Sequence, residues 1–218
     1  HNDTDYARFG AQLREKDPTA LLTIARGSSD HAAHFLAYLV MARLGRLVTS
    51  LPMSLITLYQ SQIACKGLVS LAFSQSGQSP DLVAPTQFFT QGGATTAAFV
   101  NKPDSPLAQA AQWVFPLHAG VEASVAATKS YIAQLVAGAR VVAAWQDDLV
   151  LQSALSALPG VLSRAAHMDW SVALAALRDV DRLFVIGRGT GMPVALEAAL
   201  KFKETCGIQA EAFSGAEV

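Results

Sequence analysis

The stretch Leu68-Val-Ser-Leu-Ala-Phe-Ser74-Gln75-Ser76-Gly77-Gln78-Ser79-Pro80-Asp81 decides the reading of this chain. An apolar run gives way to alternating hydroxyls, an amide and a glycine, then to a proline and an acid, which is the order of a buried strand, a tight loop and a helix start. The first N–H groups of a helix have no intrahelical partner and carry partial positive charge, so an anion placed there gains several hydrogen bonds. Ser74, Ser76 and Ser79 add hydroxyl donors, Gln75 adds an amide, and Gly77 lets the backbone come close. No Gly-Lys-Ser/Thr follows, which separates this loop from a Walker A phosphate loop. The same residues also fit an ordinary strand-to-helix turn in which Ser79 caps the helix and Pro80 takes its first position.

Working outward, the strand, Gly/Ser turn and helix recur. Leu21 to Ala25 reads as a buried strand, Arg26-Gly27-Ser28-Ser29-Asp30 as a turn, and His31 to Leu44 as a helix. Further strands are expected at 46–50, 68–73, 95–100 and 113–117, with helices at 5–15, 53–64, 81–91 (kinked at Pro85) and 105–112. Such repeats build a parallel sheet with helices on both faces. Ligands of such a sheet bind at the carboxyl ends of strands where the strand order reverses, so the Ser28/Ser29 turn and the Ser74 to Ser79 loop can flank one ligand. A long helix at 121–145 closes this first domain, assigned to residues 1–150. Residues 154–177 read as a helical hairpin interrupted at Pro159-Gly160. Arg182 to Ile186 then restarts the unit, so that 151–218 holds a helical connection and an incomplete second domain of one strand and one helix. Gly187-Arg-Gly189-Thr-Gly191 lacks the third glycine of a dinucleotide fingerprint, because Met192 and Pro193 follow.

On a helix from Pro193 to Cys206, Glu197, Lys201 and Glu204 fall on one face. That stripe reads either as solvated ion pairs or, because the rest of the helix is apolar, as charges that pair or face a cavity. Composition bounds the partners. In 218 residues, 51% are hydrophobic and 15% charged, and the net charge of −1 offers no footprint for nucleic acid or an anionic membrane. No apolar run of the length of a membrane span is expected, and two cysteines, Cys65 and Cys206, with no visible signal peptide point to a reduced cytoplasmic setting. No cluster of metal-ligating residues is evident, and no cofactor is called for. A first residue other than Met and an end at Val218 suggest that both termini are trimmed.

The Ser74-to-Asp81 loop resembles the signature of sugar isomerase (SIS) domains, which bind phosphosugars. Ser124-Val-Ala-Ala-Thr128-Lys129-Ser-Tyr and Ala195-Leu-Glu197-Ala-Ala-Leu-Lys201-Phe-Lys-Glu204 are similar to the isomerase half of glucosamine-6-phosphate synthase and to its deaminase relatives. The resemblance implies a flavodoxin-like three-layer α/β/α fold and a homodimer with a shared active site. It places Ser29, Ser74, Gln75, Ser76 and Ser79 around the phosphate of a phosphorylated amino sugar or ketose phosphate, and Val125 at a backbone contact to the sugar. Glu204 falls at the family's proton-shuttling glutamate, with Lys201 beside the reacting end and Glu197 paired to it. The family's ring-opening histidine and closing lysine lie beyond Gly215-Ala216-Glu217-Val218. Arg26-Gly-Ser-Ser-Asp-His-Ala-Ala and Pro52-Met-Ser-Leu resemble the stand-alone deaminase branch, where synthases usually read Cys-Gly-Thr-Ser and Ala-Ser-Glu-Phe. The expected activity is therefore isomerising deamination of glucosamine 6-phosphate. The alternatives are the synthase's transferase half and a non-catalytic phosphosugar sensor.

Overall fold

A computed structural model of the chain describes residues 3–124 and 126–217. They form two compact units, His1–Asp147 and Asp148–Val218. In the first, α1 (Asp3–Lys16) leads into β1 (Ala20–Ile24), α2 (Ser28–Leu44), β2 (Leu47–Ser50), α3 (Ser54–Thr57), β3 (Val69–Ser74), α4 (Pro80–Gln91), β4 (Thr95–Val100), α5 (Pro106–Ala110), β5 (Trp113–Pro116) and α6 (Thr128–Gln146). The five strands make one parallel sheet in the order β2-β1-β3-β4-β5. Chain direction across the sheet reverses between β1 and β3. This is the α/β/α arrangement read from the sequence.

β3 and β4 are buried along their whole length. Their apolar runs are continuous because helices cover both faces. Packed together are α1, α2 and α6 as one group, and α3, α4 and α5 as another. One side of the sheet carries a ladder of rings, with Phe73 to Phe99 at 4.5 Å and Phe99 to Phe115 at 5.0 Å, extended by Phe9 and Tyr6. The other carries Ile24, Leu82, Phe89, Val100 and Leu107.

The second unit holds α7 (Leu149–Ala166), α8 (Ser171–Leu177), β6 (Arg182–Gly187), α9 (Gly191–Lys201), a π-helical turn (Phe202–Cys206) and β7 (Gln209–Ser214). β6 and β7 pair in parallel, with Arg182 opposite Gln209 and Gly187 opposite Ser214.

Several boundaries differ from the sequence reading. The helix expected at 53–64 is a single turn, because Gln60 takes φ 51° and Ser61 N–H turns back to the Leu55 carbonyl at 2.8 Å. The helix expected from Val121 starts at Thr128, since Glu122 and Lys129 fold the preceding segment onto its first turn: Ser130 N–H donates to Glu122 at 2.6 Å and Lys129 donates to the Val121 carbonyl at 2.6 Å. Pro159 does not interrupt α7, and the break falls at His167 to Trp170 instead. One missing N–H is tolerable in an 18-residue helix. β7 adds a second strand where the sequence reading leaves one strand and one helix: Gln209-Ala-Glu-Ala-Phe-Ser has no β-branched residue, and pairing with β6 makes it a strand.

α7 is also long and apolar enough, by length and composition alone, to cross a membrane, contrary to expectation. Gln152, Ser156 and Ser163 nevertheless share one face, about a third of a turn round the helix from Leu151, Leu155, Leu158 and Leu162, so the helix is amphipathic.

Gly10 lets α1 come close to α6, since a Cβ there would lie 2.5 Å from the Ala144 carbonyl. Gly→Ala in a helix normally gains about 1 kcal/mol, but overpacking against backbone costs about 1–3 kcal/mol, so Gly10→Ala is expected to destabilise by up to roughly 2 kcal/mol in urea unfolding. A stabilised variant would contradict the tight α1–α6 packing.

Candidate functional site: a hydroxyl-lined crevice and an acid–lysine cluster

β1 and β3 are adjacent, and the chain leaves them toward opposite edges of the sheet. Their carboxyl ends therefore border an open crevice, into which the turn after β1 and the loop after β3 both lead. Arg26, just after β1, forms an ion pair with Asp81 in the first turn of α4, tying the two sides together. Both groups are more than half exposed, so the pair positions the loops and contributes at most about 1 kcal/mol.

Within the β3–α4 loop, Ser74 is buried and its Oγ accepts from Gly77 N–H at 3.0 Å. Ser76 Oγ accepts from Gln78 N–H at 3.3 Å. A serine hydroxyl has one proton and two lone pairs. With N–H groups on the lone pairs, the protons of Ser74 and Ser76 remain to donate, which is the polarity an anion requires. Ser79 occupies the N-cap of α4 in extended conformation, but its side chain makes no cap hydrogen bond, so the capping role read as an alternative is not taken up. Pro80 fills the first helical position.

Gly77 makes the loop possible. Its φ is 64°, and a Cβ would lie 2.1 Å from Ser105 Oγ, the hydroxyl that caps α5. The Gly77 carbonyl accepts from Leu107 N–H at 3.1 Å and the Gln75 carbonyl from Asn101 N–H at 3.2 Å, so the loop rests on the ends of β4 and α5. Gln75 is half-buried.

Ser29 stands in the first turn of α2, beside the crevice, and its Oγ accepts from Gln134 Nε2 of α6 at 3.0 Å. The structure thus brings Ser29 and the Ser74-to-Ser79 loop to neighbouring strand ends. Val125 lies outside the described residues. Sequence reasoning missed Asn101, whose side chain holds the segment after β5 through Ala119 N–H and the Gly120 carbonyl. It also missed Gln134, whose signal was a lone amide among Ile132, Ala133, Leu135 and Val136.

In the second unit, Glu197 is buried on α9, and Lys201 Nζ lies 3.4 Å from it. Lys201 also donates to Glu204, at 2.5 Å. Glu204 does not continue the α-helical stripe. It sits in the π-helical turn, closed by Ile208 N–H to the Phe202 carbonyl at 3.2 Å and ended by Gly207 at φ 66°. Such turns widen a helix locally and recur at functional sites. Burial alone would lower the Lys201 pKa, but the hydrogen bond to Glu204 and the charges of Glu197 and Glu204 together outweigh it and raise it. The cluster is thus an ammonium between two carboxylates, one buried and one reaching solvent. Among the described residues no group of three or more His, Cys, Asp or Glu side chains is placed to hold a metal ion.

A parallel sheet with a hydroxyl-lined crevice at its switch point defines an α/β domain suited to small anionic ligands. Residues 13–144 match the family model of the SIS domain, and the chain belongs to that family. It is 31% identical over 208 residues to the isomerizing glutamine–fructose-6-phosphate aminotransferase of Bradyrhizobium diazoefficiens, covering 89% of this chain and 34% of that protein. The chain thus spans about a third of the length of the curated relatives it matches. A crystal structure from Silicibacter pomeroyi, solved as a candidate phosphosugar isomerase, superposes with a TM-score of 0.96 at 44% identity over 100% of this chain and 67% of that one. Glucosamine-6-phosphate deaminase from Thermotoga maritima shares the fold, with a TM-score of 0.74 at 18% identity over 99% of this chain and 68% of that one.

Two outcomes test this geometry. Gly77→Ala combines a strained φ with a clash against Ser105 and is expected to cost about 2–4 kcal/mol in urea unfolding; a neutral effect would mean the loop is not held as described. The folded-state pKa of Lys201 lies above its ordinary value of 10.5, so the stability it contributes is full below that pH and is lost as pH rises through the raised value. Glu204→Gln is expected to move the Lys201 titration downward in NMR of the ε-methylene, and an unmoved titration would contradict the pairing.

Proposed function

We propose that the protein catalyses isomerising deamination of glucosamine 6-phosphate to fructose 6-phosphate and ammonia. The observation that carries this reading is the set of serine hydroxyls left as donors at the β1/β3 crevice, in a chain of the SIS family. In this reading Ser74, Gln75, Ser76 and Ser79 bind the phosphoryl group, aided by the N-terminus of α4, and Ser29 donates to the same substrate. Neither a metal nor an organic cofactor has a step to perform.

The chemistry needs a base that carries a proton between C2 and C1 and a protonated group that steadies the developing charge. Glu204 takes the first role and the Lys201 ammonium the second, with Glu197 holding Lys201 protonated and in place. With the sugar ring open, the proton leaves C2 as O1 takes one up to give the enol-amine, and C1 is then protonated as the nitrogen gives one up. That leaves a ketose imine at C2. Water adds to that carbon, the C–N bond breaks, and ammonia departs. These roles for Glu197, Lys201 and Glu204 rest on their match to the family's motif and on the ion-pair cluster they form. The reading includes a cytoplasmic homodimer whose partner supplies the family's ring-opening histidine, and a second SIS domain beginning in the second unit.

The curated relatives favour a second reading, the isomerase half of an aminotransferase that uses glutamine-derived ammonia. The deaminase is preferred because Arg26 to Ala33 and Pro52 to Leu55 read like the stand-alone branch. Ammonia release from glucosamine 6-phosphate without glutamine is the expected result with purified protein. Absence of release, with glutamine-dependent synthesis of the amino sugar instead, would overturn the preference. Glu204→Gln is expected to lower kcat by at least about 100-fold with KM little changed, in line with loss of a general base, whereas Ser76→Ala should raise KM first, by about threefold to tenfold. The reverse pattern would mean the two roles are exchanged.

A further inference from the structure

Ser74 and Ser76 are oriented by backbone N–H groups of their own loop, but Ser29 has no such neighbour among its partners. Its Oγ is engaged by a side chain from another helix. Gln134 is 1% exposed, and its Nε2 donates to Ser29 Oγ at 3.0 Å. Its Oε1 is buried without a hydrogen-bond partner. One turn earlier on α6, Ser130 Oγ is likewise buried and unpartnered, while one turn later Gly138 packs directly against Leu36 of α2. This face of α6 is therefore the one turned to α2, and its polar atoms are gathered at the end nearest the crevice.

An orphaned carbonyl in such a place is unfavourable, and a leucine of similar size would remove it. Gln134 accordingly serves something other than packing. Among the described residues its one side-chain hydrogen-bond partner belongs to the crevice. The opposite amide orientation would bury two N–H groups with one partner at most and would take the Ser29 proton as well. With Nε2 toward Ser29, one of the hydroxyl's lone pairs is engaged and its O–H is left to donate.

We propose that Gln134 is a positioning residue for substrate, fixing the Ser29 hydroxyl as a donor to the phosphosugar; this rests on the phosphosugar reading above. Gln134 touches no ligand itself. It acts at a distance of one hydrogen bond, from a helix that otherwise serves the packing of α1 and α2.

Calorimetric titration of glucosamine 6-phosphate into the otherwise wild-type protein, Ser29→Ala, Gln134→Leu and the double variant, each carrying Glu204→Gln to stop turnover, tests it, alongside thermal melts. Each single change is expected to weaken binding about threefold to tenfold, the range of one hydrogen bond, and the double variant to bind within about twofold of Ser29→Ala alone. Gln134→Leu should melt no lower than wild type. Gln134→Glu provides a second, independent readout, because a protonated carboxyl can donate to Ser29 while a carboxylate only accepts and draws the hydroxyl proton inward. Its affinity relative to wild type should fall as pH rises. Unchanged affinity in Gln134→Leu, losses that multiply in the double variant, or a flat pH ratio for Gln134→Glu would each overturn the proposal while leaving phosphosugar binding intact. Failure of the wild type to bind glucosamine 6-phosphate would instead remove the reading beneath it, and the proposal with it.

Discussion

The parallel pairing of β1 with β3 is the constraint on which the first unit depends. Leu21 lies opposite Val69 and Ile24 opposite Ala72, so the two strands end side by side. The chain leaves β1 for β2 on one edge and leaves β3 for β4 on the other, which opens a crevice between the departing loops. Helices on both faces bury β3 and β4 completely and hold that pairing in place. The loop after β3 can then be tight and polar because its supports are rigid: Ser105, Leu107 and Asn101 back it, and Gly77 alone fits against them.

What the crevice offers is polarity rather than charge. Three serines have their oxygens engaged by N–H donors, two from the loop backbone and one from Gln134, and each is left with a proton to give. Together with the start of α4, such an array of donors suits an anion without requiring a lysine, in keeping with a chain whose net charge is only −1. The second unit is organised differently. There the fixed charges sit on one helix and its π-helical end, with a lysine shared between a buried and a more exposed glutamate.

The sheet was legible because parallel strands covered on both faces must be continuous apolar runs, and Leu21 to Ile24, Val69 to Phe73 and Thr95 to Val100 are such runs between Gly- and Ser-rich turns. The hydroxyl-rich turn between β3 and α4 was legible for the same local reason. β7 escaped because its alanines carry no strand preference of their own and its pairing depends on β6, 27 residues earlier. The early end of α3 depends on one residue, Gln60, adopting a left-handed conformation that no residue type there announces. The π turn at Phe202 could not be read from spacing, since the same i, i+4, i+7 pattern fits an unbroken α-helix. Gln134 escaped because its meaning lies in Ser29, which is 105 residues away in the chain.

A crystal structure of the protein with glucosamine 6-phosphate bound tests the central claim most directly. The account predicts the phosphoryl oxygens within hydrogen-bond distance of the Ser74 and Ser76 hydroxyls and the first turn of α4, with the sugar leading away past Ser29. A phosphosugar bound elsewhere, with this loop empty, would contradict it.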